Sequence, residues 1–296
     1  MKHLLIYFFF SITSFAQSTY DATSIASIKH CIYTLANDSL YGRAAGSAEE
    51  LKTLAYIEHS ITKFTDLKMQ RQAFDIKTAT YETLIANNGY YFLDNNSDTT
   101  LLLSAHYDHI GLGGDLSTAF TAGQIHNGAD DNASGVALTI SLFQAIIERK
   151  LTDFNYVVAF YSGHELGLHG SSAFAEVLQH QTKMDHTISA VINIDMVGRF
   201  DPELKSIRIY SNKAADSYFE NFTEIDPNLL VLKGSEKKLE LLDTKTFHAQ
   251  NLPCLSMTTG VHLDYHKPSD DAQYINYEGI VTIRDYILQL IVGLSD

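Results

Sequence analysis

The amino-acid sequence predicts an α/β fold with a largely parallel central sheet in a single domain. Apolar runs typical of strands alternate with amphipathic runs typical of helices, which is the pattern of α/β proteins. No segment rich in Pro, Gly or Ser divides the 296-residue chain, and no internal repeat is present. Histidines and carboxylates lie at the ends of several predicted strands, where parallel sheets place their ligand sites.

Four segments have the hydrophobic period of an amphipathic helix. Residues 23–38 form the first of them. Residues 47–64 form the second, which begins with SAEE, the Ser-x-x-Glu sequence of a capping box. The third is GVALTISLFQAIIERK, and the last is YEGIVTIRDYILQLIVG near the carboxyl terminus.

Strand-like segments lie between these helices and complete the alternation. MQRQAFDI and TYETLIANN indicate a pair of strands early in the chain, and KSIRIYS indicates a short strand later on. Four longer apolar runs indicate buried strands. They are TTLLLSAHYDHIG, NYVVAFYSG, ISAVINIDMVG and LPCLSMTTG.

Charge and the amino terminus limit the partners and the compartment. The formal net charge of −14 disfavours nucleic acid and anionic membranes, because both need basic patches. Residues 1–16 have the pattern of a signal peptide, with Lys2, the apolar run LLIYFFFSI and small residues ending at Ala16. We therefore expect a mature domain over residues 17–296, secreted or periplasmic. An uncleaved anchor is the alternative, although the apolar run is short for a membrane span.

Two cysteines, Cys31 and Cys254, are too few for a disulfide framework. Cys31 falls in a predicted helix and Cys254 in a predicted apolar strand. We expect two buried, unpaired thiols. A single disulfide is the alternative that an oxidising compartment allows.

The segment SGHELGLHG resembles the helical zinc-protease sequence H-E-x-x-H but has a different spacing. Histidines four residues apart lie about 40° apart around a helix and can share one ion. His164 and His169 are five residues apart, roughly 140° around, and cannot share an ion from one regular helix. We expect His169 to face away from any metal.

Histidines and carboxylates accompany four predicted strands, and a further group lies on a turn before a helix. They are, in chain order, His106, Asp108, His109, Asp130, Asp131, His164, Glu165, Asp195, His262, Asp264 and His266. Histidine with carboxylates and without thiolates suits zinc or a similar divalent ion. Five ligands from five places fit a two-metal site that activates water for hydrolysis.

Each residue alone has a simpler interpretation. A lone histidine at a strand end is often a hydrogen-bonded surface residue, and Asp131 could cap the helix that follows. Asp195 is harder to explain in this way, because a carboxylate in an apolar strand is costly unless it is paired or bound to metal. The coincidence of polar residues with strand ends favours a metal site.

Five motifs occur in order: SAHYDHIG, NGADDNASGVA, SGHELGLHGS, INIDMVGR and HLDYHKPSD. With LYGRAAGS upstream, they resemble the co-catalytic zinc aminopeptidase family. That family includes bacterial leucyl-type aminopeptidases and glutamate carboxypeptidases, with glutaminyl cyclases and the transferrin receptor as more distant relatives. The resemblance covers about residues 38–290. It implies a single-domain three-layer sandwich with a mixed, mostly parallel sheet between helices, and a zinc exopeptidase that acts on peptides.

The resemblance implies two zinc ions held by five side chains. One zinc ion is implied on His106, Asp131 and Asp195. A second is implied on Asp131, Glu165 and His266, so that Asp131 bridges the two.

The resemblance also implies tasks for residues around these ligands. Asp108 has the place of the carboxylate that orients the imidazole of His106, a partner that metal-bound histidines usually need. The peptide bond after Asp131 is often cis in such proteins. His109 and His262 are expected beside the ligands or in the pocket wall.

The chain departs from the family's pattern at His164. Family members have two adjacent glutamates where this chain has His164 and Glu165, and the first glutamate is the general base. His164 either acts as the base itself, which the ordinary imidazole pKa suits, or leaves hydrolysis with little base assistance, at a cost of about 10²–10⁴ in rate. The third alternative is a protein that binds metal without efficient hydrolysis.

The resemblance therefore implies a zinc aminopeptidase that hydrolyses amino-terminal peptide bonds, with His164 in place of the usual glutamate. A glutaminyl-cyclase-like acyltransferase with one zinc ion and a metal-dependent binding protein are the alternatives. Residues 200–250 are expected to form part of the pocket wall, with LLDTKTFHAQ near the metals.

Overall fold

The computed structural model describes residues 21–78, 81–120, 123–180, 187–216, 218, 225–226 and 228–294. The signal peptide predicted over residues 1–16 lies outside these ranges. Within them, no helix is both long enough and apolar enough to cross a membrane.

At least six helices accompany the sheet in the described part of the chain. Their bounds are residues 21–35 for α1, Ala48–Ile61 for α2, Gly135–Arg149 for α3, His169–His180 for α4, Lys245–Ala249 for α5 and Tyr277–Gly293 for α6.

Eight strands form one mixed sheet in the order β1-β2-β4-β3-β5-β8-β6-β7. Their bounds are Gln70–Lys77 for β1, Thr83–Leu93 for β2, Thr99–His106 for β3, Asn155–Tyr161 for β4, Thr187–Ile194 for β5, Ser206–Ser211 for β6, Leu230–Lys233 for β7 and Cys254–Thr258 for β8. Strand β3 is parallel to β4 and to β5, β5 is parallel to β8, and β6 is parallel to β7. The pairs β1–β2, β2–β4 and β6–β8 are antiparallel. This architecture confirms the predicted α/β fold.

Helices cover both faces of the sheet, which makes three layers. Successive strand residues point to opposite faces, so that Leu101 and Leu103 of β3 pack in a core with α1, α2, α3 and α6. Leu102 points the other way, into a second core with Phe174 of α4 and Phe247 of α5. The strands at the centre are therefore apolar on both faces, as the continuous hydrophobic runs predicted.

Four neighbouring strands, in the order β4-β3-β5-β8, run parallel to one another. Their carboxyl ends consequently lie at the same edge of the sheet. The loops that follow them carry the histidines and carboxylates identified in the sequence.

Two helices end a few residues earlier than the sequence predicted. Helix α1 ends at residue 35 rather than 38, because the Asn37 side chain accepts a hydrogen bond from the N–H of Ser39 and starts a 3-10 segment instead. Helix α2 ends at Ile61 rather than at residue 64. Its amino end is capped by Ser47, which accepts from the Glu50 N–H at 3.1 Å.

Strand β2 is longer than the sequence suggested, since it continues through Gly89 to Leu93. A side chain at Gly89 would lie 2.6 Å from Leu54 and 2.7 Å from Met69. The glycine is thus a packing requirement here and does not mark a turn.

Cys31 on α1 and Cys254 at the start of β8 are both buried and unpaired. The prediction of two free thiols is confirmed. Burial raises the pKa of each thiol to about 12, so both are neutral at physiological pH.

Candidate metal centre

The loops after β3, β4, β5 and β8 bring the predicted ligands together at the shared sheet edge. His106 is the last residue of β3, and Asp195 directly follows β5. Glu165 and His266 lie in the loops after β4 and β8. Asp131 reaches the same place from the segment that leads into α3.

Three of these residues form one group around His106. Its Nε2 atom lies 3.4 Å from an oxygen of Asp131 and 3.4 Å from an oxygen of Asp195. Ligand atoms about 2.0–2.1 Å from a tetrahedral zinc ion are about 3.3–3.4 Å apart. The spacing therefore matches that of donors to one zinc ion.

A second group lies on the other side of Asp131. The Nε2 atom of His266 lies 3.2 Å from Asp131 Oδ2 and 3.1 Å from Glu165 Oε2. Asp131 turns Oδ1 to the first group and Oδ2 to the second. One carboxylate thus contacts both groups.

The donor atoms of both groups fit a divalent cation. The Nε2 atoms of His106 and His266 are buried and have no hydrogen-bond partner of suitable geometry. Leaving such polar atoms unpaired is costly, and native proteins rarely do so without a ligand, ion or water. Imidazole and carboxylate donors without thiolates are the set that zinc accepts in catalytic sites.

The electrostatics of the cluster also favour a cation. Burial lowers the pKa of His266, but the carboxylates of Asp131 and Glu165 oppose it and raise that pKa to about 10. Burial raises the pKa of Glu165, but the hydrogen bonds of this carboxylate to His109 and His266 hold its pKa well below the usual range. Positive charge between these groups is therefore stabilised, whether a proton or a metal supplies it.

The Asp108 carboxylate lies closer to the main chain of the loop after β4 than to the imidazole of His106, which it was expected to orient. Its carboxylate accepts hydrogen bonds from the N–H groups of His164 at 3.2 Å and Glu165 at 3.3 Å. The Nδ1 atom of His106 lies 3.2 Å from the Asp108 carbonyl oxygen and 3.6 Å from its carboxylate. Asp108 holds His106 mainly through its own backbone.

The loop that carries Asp131 is fixed by buried polar contacts. The peptide bond between Asp131 and Asn132 is cis, as the resemblance implies. The Asp270 carboxylate accepts from the N–H groups of Asp130 and Asp131. Gly128, at φ +56°, leaves no space for a Cβ, which would lie 2.2 Å from the Asp131 carbonyl.

Arg43, from the upstream segment LYGRAAGS, also supports this loop. The guanidinium is buried and donates to the carbonyl oxygens of Leu35, Tyr107, Asn127 and Gly128. Its four bonds tie the end of α1, the residue after β3 and the metal loop together. Its charge also faces the carboxylates of the centre.

His109 and His262 lie beside the ligands, as expected. The Nδ1 atom of His109 is 3.0 Å from Glu165 Oε1, the oxygen that does not face His266. The Nε2 atom of His262 is 3.2 Å from Asp130 Oδ2. His109 thereby fixes Glu165 in orientation.

His164 packs its imidazole ring against the ring of His106. The two imidazole rings are stacked, with centroids 3.8 Å apart and planes 9° apart. A nitrogen of His164 also lies within 4.8 Å of donor atoms of His106 and Asp195. An ion bound to an imidazole nitrogen lies close to the plane of that ring. Because the two ring planes are nearly parallel and separated, one ion cannot lie in both, so these rings do not share an ion in this arrangement.

Asp243 is a neighbour of the centre that the sequence did not identify individually. Its buried carboxylate lies 2.9 Å from Nδ1 of His164. Burial and the adjacent His106 lower the pKa of His164, but the carboxylates of Asp243 and Asp195 raise it to about 9 in the metal-free chain. The only sequence signal was that LLDTKTFHAQ, which contains Asp243, was expected near the metals.

A cavity of about 170 Å³ opens onto the centre. Its floor is formed by Asp131, His164 and Asp195. Its walls are mostly apolar, with three polar side chains among them, and are formed by Met196, Tyr210, Lys238, Leu241, Leu242, Ser256, Thr258, Gly260, Val261 and Tyr265. Several of these residues fall within 200–250, which confirms that this region contributes to the wall. A larger cavity of about 240 Å³ between α1, α2 and α3 contains none of the clustered residues.

Comparison with solved structures identifies the fold. The LapA aminopeptidase of Legionella pneumophila superimposes with a TM-score of 0.69 at 16% identity, covering 94% of this chain and 75% of that one. The aminopeptidase of Aneurinibacillus sp. strain AM-1 gives a TM-score of 0.71 at 16% identity, covering 92% and 93%. The glutaminyl cyclase of Porphyromonas gingivalis gives 0.71 at 16% identity, covering 91% and 98%. At such identities these likenesses show the fold alone.

No curated protein sequence matches the chain. The sequence model of peptidase family M28 matches residues 91–291, well over half of the chain and all five of the metal-site motifs. Together with the fold and the clustered donors, this match establishes that the chain is a metallopeptidase belonging to peptidase family M28.

Proposed function

We propose that this metallopeptidase is a two-zinc aminopeptidase that removes amino-terminal residues from peptides. One zinc ion is assigned to His106, Asp131 and Asp195. The second is assigned to Asp131, Glu165 and His266. The observation that carries the proposal is the position of Asp131, whose two oxygens face two separate donor groups.

The reaction divides between the metal and the chain's own residues. Bound zinc supplies Lewis-acid polarisation of the scissile carbonyl and lowers the pKa of water. We assign His164 the task of taking a proton from the attacking water and delivering it to the leaving amine. Its Nδ1 atom is engaged by Asp243, so Nε2 is the nitrogen that carries this proton.

The cavity beside the centre is assigned to the substrate's first side chain. Its volume of about 170 Å³ is enclosed mainly by apolar residues, including Met196, Leu242 and Tyr265. An apolar side chain buried there gains roughly 25 cal/mol for each Å² removed from water. This supports an enzyme that prefers peptides beginning with an apolar residue.

Export through a signal peptide over residues 1–16 is part of the same proposal. Its support is the order of a basic residue, an apolar run and small residues at the amino terminus. Amino-terminal sequencing of the protein recovered outside the cytoplasm tests it, and a start near Gln17 is expected.

Hydrolysis of aminoacyl-p-nitroanilides by the zinc-loaded mature protein tests the activity. We expect turnover that is lost in His106→Ala and Asp195→Ala, since each variant removes a donor of the first group. If the zinc-loaded protein shows no turnover above these variants across a broad peptide panel, the chain is a metal-binding homologue with impaired catalysis and the proposal fails.

A glutaminyl-cyclase-like acyl transfer is the second candidate. Its support is that the structural match covers 98% of the Porphyromonas gingivalis cyclase. Peptides that begin with glutamine distinguish the two functions, because cyclisation releases ammonia and leaves the peptide bond intact. Hydrolysis releases free glutamine instead.

A further inference from the structure

Asp243 is a buried carboxylate whose place next to the centre calls for an explanation. Only 1% of its surface is exposed. A buried carboxylate is costly unless another group compensates its charge or accepts its hydrogen bonds. Its closest partner is His164, whose Nδ1 atom lies 2.9 Å from Asp243 Oδ2, and the side chain of Ser171 also acts on the carboxylate.

The bond between the two side chains selects one form of the imidazole. A carboxylate accepts a hydrogen bond, so the nitrogen that faces it carries the hydrogen. Nδ1 of His164 is therefore the N–H, and the lone pair of the neutral ring lies on Nε2. Without Asp243, the ring would be free to exchange the two tautomers.

The surroundings also fix the plane and the rotation of the ring. His164 is stacked on His106, with planes 9° apart. Rotating the ring by 180° about its Cβ–Cγ bond would place the Cδ2 carbon where Nδ1 now faces Asp243, and the hydrogen bond would be lost. The N–H of the His164 main chain is held separately by Asp108.

We propose that Asp243 is a positioning residue, which holds the His164 ring in the tautomer and orientation that present Nε2 to the substrate. Asp243 and His164 together would thus take the role that a single glutamate has as general base in other family members. This inference rests on the proposed role of His164, but its structural part can be tested without activity.

A spectroscopic experiment tests the structural part on the zinc-loaded protein. Nitrogen-15 NMR of labelled histidines identifies the His164 signals by their loss in His164→Gln. At a pH high enough for the His164 ring to be neutral, we expect the Nδ1–H tautomer in the wild type and a shift toward the other tautomer or a mixture in Asp243→Asn. An Nε2–H tautomer in the wild-type protein would overturn the inference, and this result does not require Asp243→Asn to fold.

A double-mutant cycle tests the functional part. Because Asp243 acts through His164, Asp243→Asn should lower kcat about 10-fold or more with little change in KM. In the His164→Gln background the same change should alter kcat less than about 2-fold. Equal losses in the two backgrounds would mean that Asp243 acts independently of His164, which contradicts the inference.

The control variant is Glu240→Gln, which removes an exposed carboxylate three residues before Asp243 on the same segment. We expect it to leave both kcat and the His164 tautomer unchanged. If the wild-type protein hydrolyses no peptide, the proposed function fails while the NMR experiment still decides the position of the ring.

Discussion

The imidazole of His164 lies parallel to that of His106, with the ring centroids 3.8 Å apart and the planes 9° apart. The two rings touch, yet they make different bonds. His106 directs Nε2 to Asp131 and Asp195, whereas His164 directs Nδ1 to Asp243. The ring of His106 thus faces the candidate ligands, and the ring of His164 faces Asp243.

Replacing His164 by glutamate, the residue found in the family, should lower activity. The new carboxylate would face the buried carboxylate of Asp243, and close like charges repel strongly where water is excluded. We expect kcat/KM to fall about 10-fold or more in His164→Glu, measured on a leucyl-p-nitroanilide.

The double variant His164→Glu/Asp243→Asn should recover part of that loss, because it removes the repulsion. A His164→Glu protein that is faster than the wild type would show that His164 is a poor substitute for glutamate and that Asp243 does not constrain the position.

Removal of the Arg43 guanidinium should destabilise the folded protein severely. Arg43→Met would leave four carbonyl oxygens without their donor, three of them in fully buried bonds, and an unsatisfied buried acceptor costs about 1–3 kcal/mol. We expect the free energy of unfolding in urea to fall by at least about 3 kcal/mol.

Arg71→Met is the matched control for Arg43. Arg71 forms a largely exposed ion pair with Glu58 at 2.7 Å, and such pairs contribute about 0–1 kcal/mol. If the two variants lose similar stability, Arg43 does not have the structural role its four bonds indicate.

The two thiols should be unreactive in the native protein. With the pKa of Cys31 and Cys254 raised to about 12 by burial, only about 10⁻⁴ of each is thiolate near pH 8. Titration with a chromogenic disulfide reagent should detect no fast-reacting thiol in the native protein and two in denaturant. Absence of the two thiols in denaturant would reveal a disulfide instead.

The first side chain of the substrate should determine the rate through its polarity. The cavity wall is mostly apolar, and its floor carries the carboxylates of Asp131 and Asp195. We expect leucyl and methionyl p-nitroanilides to be cleaved at least about 10-fold faster than the aspartyl and glutamyl compounds, since an acidic side chain would lie beside the carboxylates of Asp131 and Asp195. Preference for the acidic substrates would contradict this assignment and would show that Lys238 in the cavity wall determines the selection.

Much of the fold could be predicted because its signals are local. The runs around Leu102 and Val157 are continuously apolar, since both faces of β3 and β4 are buried. Helix α6 has the predicted bounds because Asn276 caps its start, accepting from the Gly279 N–H. Helix α5, with five residues, and strand β7, with four, are too short for periodicity to identify them. Helix α4 spans 12 residues and was not among the predicted helices.

The centre was predictable to the extent that its residues follow strand ends. His106 and Asp195 adjoin long apolar strands, so their meeting at one edge follows from the parallel order. Asp243 gave no such signal, because it lies in an irregular segment and its bond to His164 joins residues 79 positions apart. Only tertiary packing brings those two side chains together.

The metal content of the zinc-loaded protein, measured beside Asp195→Ala and Asp131→Ala, tests the central claim most directly. If Asp131 bridges two ions, the wild type should hold two zinc ions per chain. Asp195→Ala should retain the ion of the intact group around Glu165 and His266, and Asp131→Ala should lose both. One zinc ion in the wild type, or an Asp131→Ala protein that keeps as much zinc as Asp195→Ala, would contradict the account.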